Sequence, residues 1–79
     1  MTEARQQEIL ELAYEDYKEA LEDNTFINPD QAAYNFALNC ITAEVWKDYG
    51  ITCPAEAAGN DEAAREIHWL AQLFRGTVS

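Results

Sequence analysis

INPDQAAYNFALNCITAEVWKDYG, residues 27–50, carries a helix with both of its ends written into it. Asn28 is suited to cap the N-terminus, and Pro29 at the first helical position loses no hydrogen bond, because that N–H has no intrahelical partner. Asp30 sits where the helix dipole favours a negative charge. Gln31 can complete a capping box, with Ile27 as the staple residue. At the other end Gly50 supplies the left-handed residue that closes a helix, so the element should stop near Tyr49. Ala33, Tyr34, Phe36, Ala37, Leu38, Cys40, Ile41, Ala43 and Val45 spread around roughly two-thirds of its circumference, the pattern of the most buried helix in a small bundle. The remaining sector holds Gln31, Asn35, Asn39, Thr42 and Trp46, polar yet uncharged.

Working outward, a helix before this one should start after Thr2 and run to about Asp23, with Asn24 and Thr25 closing it. Its apolar face is Ile9, Leu10, Ala13, Tyr14, Tyr17, Ala20 and Leu21. On the other side, the linker GITCPAEAAGN has room for one short extra helical turn at 54–58, after Pro54 and before Gly59. A last helix should begin at Asn60 or Asp61 and end near Arg75, with Gly76 beyond it. Its core stripe is Ala63, Ile67, Leu70, Ala71 and Phe74, opposite Asp61, Arg65, His68, Gln72 and Arg75. No β-branched alternation suggests a strand. The predicted architecture is all-α: a small three-helix bundle, with the extra turn, forming one domain over residues 1–79.

The chain has 79 residues and a net charge of −10. A chain of that length buries only about 60% of its unfolded surface, so its stability margin is thin. The charge disfavours direct binding to nucleic acid or to an anionic membrane and favours a basic macromolecular partner. Thr2, Glu3 and Ala4 follow Met1, and no apolar run approaches about 18 residues. Neither a signal peptide nor a membrane span is therefore expected, and the cytoplasm is the expected compartment. Cys40 and Cys53 are too few for a disulfide framework and should be free thiols.

The inventory for catalysis is bare. The only serine is Ser79, and Cys40, Cys53 and His68 lie on separate elements with no nucleophile–base signature among them. No CxxC, HxxxH or DxDxDG spacing points to a metal, and no glycine-rich loop cradles a phosphate. A non-enzyme without cofactor or metal is expected.

The feature asking for a reason is EILELAYEDYKEALED, residues 8–23, with seven acids and one lysine. On a helix Glu8, Glu11, Glu15, Glu19 and Glu22 line one face, with Asp16 and Asp23 on its flank and Lys18 at its other margin. The line runs about 21 Å with a carboxylate roughly every 5 Å. Acids at i and i+4 oppose the helix by about 0.2–0.5 kcal/mol per pair, so a surface built for stability alone would alternate signs. DNA presents regular lines of phosphates to rows of Lys and Arg, and this face could occupy such a groove in their place. In size and charge the chain is similar to small acidic inhibitors of phages and mobile elements, of the anti-restriction and anti-CRISPR kind. That likeness carries no motif and assigns no residue. The expected partner is thus a basic, nucleic-acid-binding protein, met through Glu8, Glu11, Glu15, Asp16, Glu19, Glu22 and Asp23. A like-charged face also serves solubility. The alternative is a helical interaction module or homodimer using Gln31, Asn35, Asn39, Thr42, Trp46 and Trp69, where amides around an indole are desolvated more cheaply than charges. Trp69 follows Arg65 by one turn, a spacing that allows a cation–π contact.

Overall fold

Thr2 opens the first helix as its side chain allows: its hydroxyl oxygen accepts the Arg5 backbone N–H at 3.2 Å. The computed structural model describes residues 1–23 and 27–78, so the proposed stop at Asn24 and Thr25 and the terminal Ser79 lie outside the described residues. Within them the order is α1 (Glu3–Glu22), α2 (Pro29–Tyr49), α3 (Pro54–Ala58) and α4 (Asp61–Val78), three long helices and one short turn. No strand occurs among the described residues.

The caps account for most of the boundaries. The Asn28 side chain accepts from the Gln31 N–H at 3.3 Å, and Pro29 holds the first helical position. Gly50 ends α2 with φ +69°, the left-handed conformation that costs a glycine least. Asn60 caps α4, its side-chain oxygen accepting from the Ala63 N–H at 3.0 Å. The Glu56 carboxylate reaches back to the Thr52 N–H at 2.8 Å and holds the turn of α3.

Three local expectations are corrected. Gln31 does not complete a capping box; its amide donates to the Asn35 side chain at 3.1 Å instead. Ile27 is fully exposed and staples nothing. The last helix runs through Gly76 to Val78, because the backbone there is not left-handed and nothing stops the helical ladder.

Packing joins the helices into a bundle. Arg5, near the start of α1, reaches Asp48 near the end of α2, so these two helices run antiparallel. Gln6 donates to Glu66 at 2.7 Å near the starts of α1 and α4, and Tyr17 meets Phe74 edge-on at 5.7 Å near their ends. Those two helices therefore run parallel. The core unites Ile9, Ala13, Ala37, Ile41, Val45, Ile51, Ala63, Leu70 and Phe74. Burying side chains such as Phe74, Ile9 or Leu70 stabilises by about 1.5–3 kcal/mol each. Tyr17 and Tyr34 flank the Phe74 ring and tie the three long helices at one end.

α2 is less enclosed than its composition suggests. Its buried residues form one line, Ala33, Ala37, Ile41 and Val45, each one turn from the next. Phe36 and Ala43 face solvent. The cause is the way α1 dominates the packing: it covers α2 along its length, whereas α4 touches α2 less and α1 only lightly. Tyr14, assigned to the α1 core face, is likewise exposed. No described helix is long and apolar enough to cross a membrane.

Candidate acidic interface

The acidic face of α1 follows from helical periodicity: Ile9, Ala13 and Ala20 point into the core and the glutamates point away. Glu8, Glu11, Glu15, Glu19 and Glu22 are all exposed, as are Asp16 and Asp23. They do not form one electrostatic unit, however. Glu8 is bound by Arg5 at 2.5 Å, and the same guanidinium reaches Asp48 at 2.8 Å and Glu44 at 3.5 Å. Three carboxylates from two helices thus share one cation. The hydrogen bond and charge of Arg5 hold the Asp48 carboxyl below its usual range, and those of Asp48 push the Arg5 guanidinium up.

Asp16 turns toward α2. There burial pushes the Cys40 thiol up to about 11, helped by the Asp16 charge and by the hydrogen bond that the thiol S–H donates to the Asp16 carboxylate. Asp16 and Asp23, with Glu19, surround the exposed Phe36 ring in a groove of about 300 Å³ between α1 and α2. Glu11, Glu15, Glu19 and Glu22 remain as the outer line. None of the four takes part in an ion pair among the described residues. That line is about 16 Å long. Lys18, at the margin, stands 5.3 Å from the centre of the Tyr14 ring.

The uncharged stripe on α2 is divided in depth. Gln31, Asn35 and Asn39 are exposed, while Thr42 and Trp46 are half-buried and line a cleft of about 420 Å³ with Pro54, Ala57 and Ile67. Thr42 spends its hydroxyl on the Leu38 carbonyl at 3.0 Å. Trp69 lies on α4 and is 52% exposed; the cation–π contacts among the described residues are Lys18 with Tyr14 and Arg75 with Tyr34, not Arg65 with Trp69. Trp69 does not line the cleft that Thr42 and Trp46 share.

A third surface escaped the sequence reading. Gln7, Leu10, Glu11, Tyr14, Glu15, Lys18 and Thr77 line a groove of about 430 Å³ between α1 and α4. The signal was present in α1: its apolar arc runs from Ile9 round to Tyr14, wider than one neighbouring helix covers. Both cysteines are free, and among the described residues no three His, Cys, Asp or Glu side chains gather as they would to hold a metal. Compared with protein-family models, curated proteins and solved structures, the chain matches none.

Proposed function

We propose that this chain is a non-enzymatic binding protein that docks the acidic face of α1 on the basic surface of a nucleic-acid-binding protein, in the place nucleic acid would take. The observation that supports it is the line Glu11, Glu15, Glu19, Glu22: exposed, one helical turn apart, and outside every ion pair among the described residues. The nearest cations are engaged elsewhere, Arg5 with three other carboxylates and Lys18 with the Tyr14 ring. A face arranged this way leaves four carboxylates outside ion pairs to attract a cationic surface, an attraction that salt screens. An inhibitor of phage or mobile-element type, anti-CRISPR or anti-restriction in kind, is the biological setting that a chain of this size and charge fits. The partner captured from native lysate at low salt is expected to be basic and to dissociate steeply toward physiological salt. The double variant Glu11→Lys, Glu15→Lys should lose it while keeping its thermal transition. Capture that is insensitive to salt, or that survives the double reversal, would sink this reading.

A further inference from the structure

We propose that the groove between α1 and α4 seats an apolar-faced, lysine- and arginine-rich helix of that partner, completing a four-helix arrangement. The inference rests on the basic-partner reading and adds where the apolar part of the contact lies. Leu10 and Tyr14 form its α1 wall and Thr77 lies on its α4 wall. Leu73 and Trp69 stand one and two turns before Thr77 on the same side of α4, beyond the groove's own lining. Three of these carry apolar surface to water: Trp69 is 52% exposed, Tyr14 41% and Leu73 37%. Two parallel helices that touch only lightly leave a trough between them, the shape into which a helix lays its apolar face. The row on α4 covers about 12 Å, a little over two turns of an incoming helix.

Charge selects the occupant. Glu11 and Glu15 stand on the α1 rim, with Lys18 over Tyr14 as the rim's cation. A second copy would bring a further charge of −10. Its exposed Phe36 is itself ringed by Asp16, Glu19 and Asp23. Like charges facing each other across an interface disfavour that pairing. A helix with leucine-like residues on one side and cations on its margins meets both the trough and its rim.

The test is an NMR titration of the whole chain with two synthetic 18-residue peptides of the same lysine and leucine composition. In one the leucines recur at helical spacing; in the other they are scattered around the helix. The segregated peptide should bind at least tenfold tighter and shift the amides of Leu10, Tyr14, Leu73 and Thr77. Leu73→Gln and Tyr14→Ser, both at exposed positions, should each remove most of that advantage. Equal affinity for the two peptides, with shifts confined to Glu11 through Glu22, would overturn the groove and leave the acidic-face reading standing. Shifts centred on the Trp46 cleft, or variants that bind as the parent does, would also overturn the groove. Binding of neither peptide at low salt would remove both readings.

Discussion

At Gly50 the backbone turns left-handed, φ +69°, so that α2 can end, and a Cβ placed there would meet no neighbour within 4 Å. Any cost of substitution at this residue is therefore backbone strain alone. At Gly76 the chain is helical, φ is not positive, and a Cβ again finds open space. The two glycines should respond oppositely to alanine. Gly50→Ala is expected to destabilise by about 1 kcal/mol. Gly76→Ala should stabilise by about 0.5–1 kcal/mol, since alanine is the better helix former and narrows the unfolded ensemble. Urea melts of the two variants beside the parent decide it; equal effects would mean that the α2 terminus is not held as described. From the sequence alone both glycines read as helix ends. Only Gly50 is one, because a glycine ends a helix only where the chain beyond it turns away, and that turn is a property of the next element.

Among the elements, α1 and α2 are tied at one end by Arg5. The tie has a sign in pH. Asp48 is held below its ordinary value of 3.8 by Arg5 in the folded state. Its contribution is complete above that value and is lost as pH falls through the lower folded one. Asp48→Asn should cost about 0.5–1 kcal/mol near neutrality, a figure kept small because the pair is partly exposed. The gap between parent and variant should close in acid, below the ordinary value. Urea unfolding of both proteins at pH 7, 4 and 2.5 measures it, and a gap that does not narrow as the pH falls would show that Arg5 does not stabilise through this carboxylate. Arg5 was not legible as the tie, since its partners Glu44 and Asp48 lie about forty residues away. The helices themselves were legible because Thr2, Asn28 and Asn60 cap locally. The capping box at Gln31 was not, because Asn35 one turn on takes its amide, nor was the staple at Ile27, which depends on what else covers that residue. The same reason explains Phe36 and Tyr14: periodicity says which residues share a face, but not whether a neighbour is wide enough to bury it.

For the whole molecule, the Cα trace extends 36 × 26 × 16 Å, so the core is thin. Its large fully buried side chains are Phe74, Ile9, Ile41, Leu70 and Val45. Ile41→Ala should cost about 2–5 kcal/mol. Domains of this length hold about 4–12 kcal/mol in total, at 0.05–0.15 kcal/mol per residue. A large part of the fold's margin thus rests on one side chain, and thermal melts followed by circular dichroism should show a lower, still cooperative transition. A loss under 1 kcal/mol would mean that the core is not centred on that residue.

Burial along α1 is uneven: Ile9 and Ala13 are fully enclosed, whereas beyond the half-buried Tyr17 only the small Ala20 goes under. The helix is held twice, at its root by Ile9 and the Arg5 tie and again further along by the Tyr17 ring against Phe74. Glu11 and Glu15 lie on the span between those two anchors, so their carboxylates stand at a fixed pitch, like marks on a ruler pinned at both ends.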